Sequence, residues 1–250
     1  MTGVLPIALE KATRIVQILL KAGKEYICLM HLHKEISEQD IRETVKKFTG
    51  EIKQLPPVKS AVKRQERFRE IYYFNILEIQ DKDVLFKIGC QAGTYIRKIV
   101  HDFGLSLNIG ANMQQLIRTK AGPFTDKTWT TLHDLKDAYE LYKNENIETE
   151  IRKIILPVET AVQHLPKIYV LDSTVDSLCH GADLNIPGIS KLDSEIKEKD
   201  SVAVLTLKNE LICLGESLTT SQEIIEKKQG SAVKTKKVFM PSGVYPKFKK

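Results

Sequence analysis

The order of apolar and polar positions along the chain predicts both strands and helices. Apolar residues alternate with polar ones from Lys24 to His33 and from Val84 to Cys90, and such alternation is typical of half-buried strands. The second stretch is predicted to pair with Arg69–Gln80 as a hairpin across a short polar turn. Helical spacing predicts helices at 11–20, from Ser37 to a stop at Gly50, at 95–103, 112–117 and 132–144, and within 148–164.

The pattern of predicted secondary structure changes near Leu165-Pro166. Short predicted strands follow at 168–171, 202–207, 211–216 and 233–239, with a short helix at 174–180 and a Gly-rich loop at 181–189. We therefore predict an α+β protein of two domains. Residues 1–165 form a mixed, mainly antiparallel sheet flanked by helices, and residues 166–250 form a small β-barrel-like module.

Composition excludes several classes of protein. With 42% hydrophobic residues among 250, the chain can bury a core. No apolar run reaches the length of a membrane span, and polar residues interrupt the first 20 positions, so we predict neither membrane association nor a secretory signal. The four cysteines are far apart in sequence, which indicates free thiols in a reducing compartment.

The net charge of +6 is concentrated at one end of the chain. Eight lysines and no carboxylate lie between Lys227 and Lys250, a distribution that favours a polyanionic partner. A solvated tail is the alternative, although the apolar residues of 238–241 indicate that part of the segment packs. His31 and His33 lie two apart on a predicted strand, but no further ligand stands near them, so we predict no metal site.

Three motifs carry most of the functional information. The first, CQAGTYIR at 90–97, ends a strand at Gly93, offers Thr94 as a helix cap and places Arg97 at a strand-to-helix corner. Such an arginine can meet a buried anion or form an ordinary surface ion pair, with equal weight on these residues alone. The other two are PPVKSAVKR at 56–64 and LIRTKAGPF at 116–124.

Together these motifs resemble the pseudouridine synthases of the TruB and dyskerin type, from Gly3 to about Pro246. SAVKR after a proline pair resembles the archaeal and eukaryotic dyskerin branch, the catalytic subunit of H/ACA guide-RNA ribonucleoproteins. In the second domain HGADL at 180–184, PGI at 187–189 and VFMP at 238–241 resemble a PUA domain. The resemblance implies the pseudouridine synthase fold, incomplete at its N-terminus, followed by a PUA domain.

The implied reaction isomerises uridine to pseudouridine in rRNA or tRNA, with no metal and no organic cofactor. The base must leave its stack first. Tyr26 matches the family tyrosine that stacks on the flipped base and is a candidate for proton transfer. Arg97 matches the arginine that pairs with the catalytic aspartate. Leu116 matches an apolar wall of the uracil pocket, with an ordinary core leucine as a nearly equal alternative, and Ile117 departs from the arginine of many relatives.

The family's catalytic aspartate has no counterpart in these 250 residues. Gly3-Val4-Leu5 matches the end of the family loop GxLDPxxxGxL, which puts the aspartate about three positions before Met1. We found no substitute in the sequence and expect the polypeptide to be inactive alone. A miscalled start, a split gene and a fragment are equally compatible origins, and the upstream DNA would separate them.

RNA contact is expected at two places. Lys63, Arg64, Arg67 and Arg69 form a basic cluster that either binds the RNA backbone or is a solvated face. In the PUA-like module Gly181 lets a nucleotide approach the backbone, and Lys234, Lys236 and Lys237 add electrostatic attraction. The expected partners are guide RNA, rRNA or tRNA, and small proteins of the H/ACA particle, in the cytoplasm if archaeal and in the nucleolus if eukaryotic.

Two other functions were weighed. A non-catalytic RNA-binding scaffold would use the PUA-like module and the basic tail, and would keep its RNA affinity when Arg97 is replaced by alanine. A DNA-binding regulator has less support, because the sequence shows neither a helix-turn-helix pattern nor zinc-ligand spacing.

Overall fold

A computed structural model describes residues 2–56, 63 and 65–247. Contacts between residues divide the chain into two compact units. The first contains Met1–Ile7 and Val16–Asp134, and the second contains Ala8–Ile15 and Leu135–Lys250. The predicted boundary between residues 165 and 166 concerns domains rather than these units, and it stays a prediction.

A seven-stranded sheet forms the centre of the first unit as described. Its path runs β1-β6-β2-β5-β4-β3, with β7 paired to β6. The short β1 is parallel to β6, and the other pairs are antiparallel, which confirms the predicted mixed, mainly antiparallel sheet. The strands are β1 (Thr2–Gly3), β2 (Lys24–Leu32), β3 (Gly50–Gln54), β4 (Arg67–Gln80), β5 (Asp83–Cys90), β6 (Ala111–Ala121) and β7 (Phe124–Thr125).

One face of this sheet is covered by helices because alternate strand residues on that side are apolar. Helix α1 (Val16–Lys21) precedes β2, while α2 (Glu38–Lys47) and α3 (Ile96–Ser106) supply apolar side chains to the buried cluster. Ser37 caps α2 by accepting a hydrogen bond from the backbone of Asp40 at 3.2 Å, as predicted. At the centre, the fully buried ring of Phe103 lies 5.6 Å from Phe48 and 6.1 Å from Phe74 between centroids.

The helix predicted at 112–117 is wrong, because these residues belong to β6. Their apolar positions have a helical spacing, but the pairing of β6 with β2 shifts register twice, between Glu25 and Tyr26 and between Leu29 and Met30. Each shift changes the strict alternation that identifies a strand. The helix predicted at 11–20 is also divided, into a 3-10 segment at Glu10–Ile15 and α1.

The second unit is built on a six-stranded sheet within the described residues. After α4 (Leu132–Glu145) and α5 (Thr149–Ile154), the strand path is β10-β8-β11-β12-β13-β9, in which only β8 and β11 pair in parallel. A separate buried cluster fills this unit. Its elements are β8 (Lys167–Val170), α6 (Asp172–Cys179), β9 (Leu184–Asn185), β10 (Ile189–Leu192), β11 (Ser201–Thr206), β12 (Leu211–Ser217), α7 (Ser221–Glu226) and β13 (Ser231–Val238).

The helices of the described segments are too short or too polar to cross a lipid bilayer.

Candidate functional site

Tyr26 lies in the middle of the first sheet, on the face that carries the helices. In the strand ladder it is opposite Ile88 of β5 on one side and Arg118 of β6 on the other. Its ring is half-buried and packs against the apolar cluster. Burial raises the pKa of the Tyr26 hydroxyl, Cys90 adds to this increase, and the Arg118 guanidinium opposes it. The phenol is therefore a neutral hydrogen-bonding group near neutral pH.

Arg118 also holds the backbone at the start of the chain. Its Nε donates to the carbonyl of Val4 at 2.5 Å, and the Val4 amide donates back to the Arg118 carbonyl at 2.8 Å. Gly3 has a φ of +111°, and a Cβ there would lie 2.2 Å from the Arg118 carbonyl oxygen. Only glycine can take this conformation so close to another strand. The segment at Gly3–Val4 is thus held on β6, with Arg118 between it and Tyr26.

The corner that carries Arg97 is fixed by an amide side chain. Gln54 accepts a hydrogen bond from the Tyr95 amide at 3.1 Å and donates to the Tyr95 carbonyl at 3.2 Å. The prediction that Thr94 caps the helix is wrong. The Thr94 hydroxyl donates to the Gln91 carbonyl at 2.7 Å, so it closes the preceding turn, and Tyr95 is the N-cap residue without a side-chain cap.

Arg97 itself is exposed in the first turn of α3. Across the part of the chain that the structure describes, no carboxylate forms an ion pair with it, whereas the next residue, Lys98, pairs with Asp102. No acidic residue occupies the first turn of α3. The positive end of the helix and the Arg97 charge together favour an anion at this corner.

Glu25 is the carboxylate nearest to Tyr26 in sequence, but its hydrogen bonds are with Thr119 and Tyr73. Its oxygens accept hydrogen bonds from Thr119 at 2.7 Å and from Tyr73, and Lys87 lies 3.5 Å away. Burial acts to raise the pKa of Glu25, but the two hydrogen bonds and the Lys87 charge hold it below its ordinary value. Adjacent strand residues point to opposite faces, so this carboxylate does not share the surroundings of Tyr26.

Leu116 is 8% exposed and belongs to the apolar cluster beside Cys28, its partner on β2. Its role as a pocket wall stays a prediction. Lys24, two residues before Tyr26, donates to the carbonyls of Leu19, Leu20 and Ala22 at 2.6–3.0 Å and so anchors the end of α1. Burial, followed by the Arg118 charge, lowers the pKa of Lys24.

The residues of the predicted basic cluster differ in how far they are exposed to solvent. Arg64 lies outside the described residues, and Lys63 is exposed. The Nε atoms of Arg67 and Arg69 are buried and have no hydrogen-bond partner among the residues that the structure describes. The Arg69 guanidinium packs against Gly93, where it would lie 3.3 Å from an added Cβ. The structure therefore brings Arg69 to the turn that precedes α3, a contact with Gly93 that sequence spacing did not predict.

The predicted RNA-binding residues of the second unit cluster on β13 and the loop after α6. Lys234 is exposed, Lys236 pairs with Glu216 at 3.4 Å, and Lys237 donates to the Arg14 carbonyl at 3.3 Å. Gly181 has a φ of +87°, and apart from its chain neighbours no described residue has an atom within 4 Å of where its Cβ would stand. Two lysines of the three thus already have partners, which limits how freely they reach a phosphate.

Histidines and cysteines have ordinary surroundings. His31 bonds to Asp83 at 2.6 Å and His33 to Asn112 at 2.9 Å. Within the described ranges, no three His, Cys, Asp or Glu side chains are placed to share a metal ion. Burial raises the pKa of Cys28 and Cys213 to about 12 and that of Cys90 to about 11, and all four thiols are free.

Sequence reasoning missed three residues of these sites. Arg118 belongs to the motif LIRTKAGPF, but only the strand pairing shows that it lies between Val4 and Tyr26. Asp183 and Thr235 are 52 positions apart and meet only in the folded second unit. No local pattern could have revealed either contact.

The first unit is thus a mixed, mainly antiparallel sheet with Tyr26 on a central strand and Arg97 at a strand-to-helix corner, and the second unit is a small module built on a six-stranded sheet. Three family models match: the TruB family pseudouridylate synthase N-terminal domain at residues 1–96, the tRNA pseudouridylate synthase B C-terminal domain at 97–163, and the PUA domain at 166–239. The chain therefore belongs to the TruB family of pseudouridine synthases, which are isomerases.

Curated relatives agree with this assignment. The probable tRNA pseudouridine synthase B of Pyrococcus furiosus is 55% identical over 247 residues, which cover 98% of this chain and 73% of the relative. That of Methanopyrus kandleri is 51% identical over 246 residues, covering 98% of this chain and 73% of the relative. The chain thus spans about three quarters of the length of these proteins.

Two solved structures share the whole described fold. A Cbf5-Nop10-Gar1 complex contains a chain with 55% sequence identity and a TM-score of 0.94, which covers 98% of this chain and 75% of that one. An H/ACA RNP bound to a substrate RNA containing 2'-deoxyuridine contains a chain with 52% identity and a TM-score of 0.90, with 98% and 74% covered. These similarities confirm the predicted fold class and family.

Proposed function

We propose that this chain is the pseudouridine synthase subunit of an H/ACA particle, and that the activity of its family is to isomerise uridine to pseudouridine in RNA selected by a guide. The observation that carries the proposal is the 55% identity, over nearly the whole chain, to a protein solved as Cbf5 with Nop10 and Gar1. A second relative was solved in an H/ACA RNP bound to a substrate RNA. The proposed partners are accordingly guide RNA, a target rRNA or tRNA, and two small proteins.

The reaction exchanges one bond of the nucleotide for another. The bond from N1 of uracil to C1′ of the ribose breaks, C5 bonds to C1′, C5 loses its proton, and N1 gains one, so atoms and electrons balance without a co-reactant. The half-buried Tyr26 ring supports the flipped base by stacking, which is worth about 1–3 kcal/mol per base. Leu116 would close the apolar side of the pocket, and Arg97 would hold the catalytic carboxylate ionised.

We further propose that the 250-residue polypeptide alone does not turn over. Arg97 is solvent-exposed and unpaired by any described carboxylate, and Glu25 is held by Thr119, Tyr73 and Lys87 instead. Among the described residues, Glu25 therefore does not serve as a free carboxylate beside Tyr26, and no carboxylate pairs with Arg97. The same observations favour the second candidate for this polypeptide, a non-catalytic RNA-binding scaffold.

Tritium release from RNA labelled at C5 of uridine tests the proposal. The polypeptide with guide RNA and both small proteins should bind a target RNA but release tritium no faster than the RNA without protein. Release above that background would overturn the proposed inactivity. Absence of binding to guide RNA would overturn the proposed place in the particle. Cellular location, cytoplasmic for an archaeal chain and nucleolar for a eukaryotic one, remains a proposal that depends on the source organism.

A further inference from the structure

A buried glutamine holds the residue at which α3 begins. Gln54 is the last residue of β3, and only 3% of it is exposed. Its side-chain amide bonds to both polar groups of the Tyr95 backbone: the oxygen accepts from the Tyr95 amide at 3.1 Å, and the nitrogen donates to the Tyr95 carbonyl at 3.2 Å. A buried amide that makes both of these bonds fixes the backbone it contacts in position and in orientation.

Tyr95 is an unusual residue to find at the start of a helix. In most helices a Ser, Thr, Asp or Asn at the N-cap accepts hydrogen bonds from the amides of the first turn. Among the described residues, the Tyr95 side chain makes no such bond, and the hydroxyl of the preceding Thr94 donates to the Gln91 carbonyl instead. The N-cap residue is therefore held through its own backbone, by Gln54 from another strand.

The turn that precedes α3 is attached to β4. The Gln91 amide donates to the Glu70 carbonyl at 2.8 Å, and the Glu70 amide donates to the Gln91 side chain at 3.3 Å. These bonds hold the turn four residues before Tyr95. Gln54 supplies its two bonds further along, at the point where the turn becomes a helix.

Arg97 follows Tyr95 by two residues, in the first turn of α3. The neighbouring Ile96 and Ile99 are buried, whereas Arg97 is exposed, so the direction of the arginine depends on the backbone of this turn. Groups that take part in catalysis must be held within about 0.5 Å and 10–20° of the productive geometry. A small rotation of the first turn moves the end of a long arginine side chain outside that range.

We propose that Gln54 is a positioning residue that sets the direction in which Arg97 meets the catalytic carboxylate of the family, acting through the backbone of Tyr95. This inference rests on the proposed role of Arg97. The glutamine amide offers hydrogen-bond donors and an acceptor without a charge, so its contribution is geometric.

NMR of the full chain tests this step with Gln54→Met, which keeps the length of the side chain and removes both hydrogen bonds. Exchange of the Tyr95 amide should become about 10- to 100-fold faster, because it loses its acceptor. Residual dipolar couplings of the Arg97 and Lys98 amides, measured against those of β5, should change because the first turn is no longer fixed. A residue that only contributed stability would leave the couplings of the folded state unchanged.

Two matched variants separate positioning from stability. Thr44→Val removes a hydroxyl from a residue of α2 that is as buried as Gln54, with 3% exposed. Gln39→Met makes the same chemical change at an exposed glutamine of α2. Neither variant should change the couplings of the Arg97 amide.

Formate, the smallest carboxylate, tests the proposed role of Arg97 separately. Added at constant ionic strength, it should shift the Nε resonance of Arg97 in the unmodified chain. The shift should be smaller in Gln54→Met, because the guanidinium and the positive end of α3 then no longer face the same point. Arg42, which is paired with Glu38, is the reference for non-specific shifts.

The outcomes distinguish the inference from the function on which it rests. Unchanged Arg97 couplings in Gln54→Met overturn the positioning role, even where exchange of the Tyr95 amide is faster. Equal changes in Thr44→Val overturn it as well, because the effect would then follow stability. If formate shifts Arg97 no more than Arg42 in the unmodified chain, the proposed role of Arg97 fails and the inference fails with it.

Discussion

Arg118→Met should release the segment at Gly3–Val4 from the first sheet. The substitution keeps the length of the side chain but removes the Nε donor that lies 2.5 Å from the Val4 carbonyl. A hydrogen bond from a charged donor contributes about 1.5–3 kcal/mol. The backbone bond from the Val4 amide to the Arg118 carbonyl remains, so the segment should open more often rather than detach.

Hydrogen exchange at the Val4 amide measures this opening directly. A loss of about 1.5–3 kcal/mol corresponds to exchange about 10- to 100-fold faster, since each 1.36 kcal/mol is a factor of ten. The same variant should raise the pKa of the Tyr26 hydroxyl, because the Arg118 charge opposes the increase that burial produces. Ring-labelled tyrosine followed by NMR reports that titration.

Lys120→Met is the matched control, since it removes an exposed cation two residues further along the same strand. It should change neither Val4 exchange nor the Tyr26 titration. Equal Val4 exchange in Arg118→Met and the unmodified chain would refute the reasoning, because the Nε contact would then contribute nothing to holding the segment.

Two further predictions concern the first unit. Phe103→Ala should lower the free energy of unfolding of this unit by about 3–5 kcal/mol, because removal of a fully buried ring between Phe48 and Phe74 leaves a cavity. Denaturant unfolding followed by hydrogen exchange of the β2 amides measures this free energy, and a loss under 1 kcal/mol would contradict the prediction. Glu25→Gln should make the free energy of unfolding depend less on pH in the acid range. The pKa of the Glu25 carboxylate is lowered on folding, so its ionised form stabilises the folded state above the ordinary pKa of 4.5, and this contribution is lost as pH falls through the folded pKa. The difference between the free energies of unfolding at pH 7 and pH 3 should therefore be smaller in the variant, and an identical pH dependence would exclude the effect.

Local sequence determined much of the fold. Strand alternation identified β2 and β5, and the hairpin of β4 with β5 was predicted with its turn, since Gln80 and Asp83 pair across it. Ser37 as a cap was also predicted correctly, whereas the loop predicted at 181–189 contains β9 and a 3-10 segment at Ile186–Gly188. These features depend on residues within a few positions of one another, which is why periodicity and capping preferences are enough to find them.

Short motifs were enough to identify the family, because they contain the side chains that take part in its chemistry. Tyr26, Arg97 and Leu116 were each placed by a run of neighbouring residues that resembles the TruB and dyskerin enzymes, and the family models confirm that membership. Their individual roles stay predictions. The strand character of β6 was not accessible in this way, since two register shifts against β2 disguise its alternation.

Only the tertiary structure decided which distant residues meet. Arg118 reaches Val4 across 114 positions, Thr235 reaches Asp183 across 52, and Glu25 is held by Tyr73 and Thr119 from two other strands. Sheet pairing and loop closure create these contacts, and both depend on the register of whole elements rather than on any local preference. The sequence therefore determined the kind of enzyme and its local elements, whereas the folded sheets determined which charged side chains form hydrogen bonds and ion pairs.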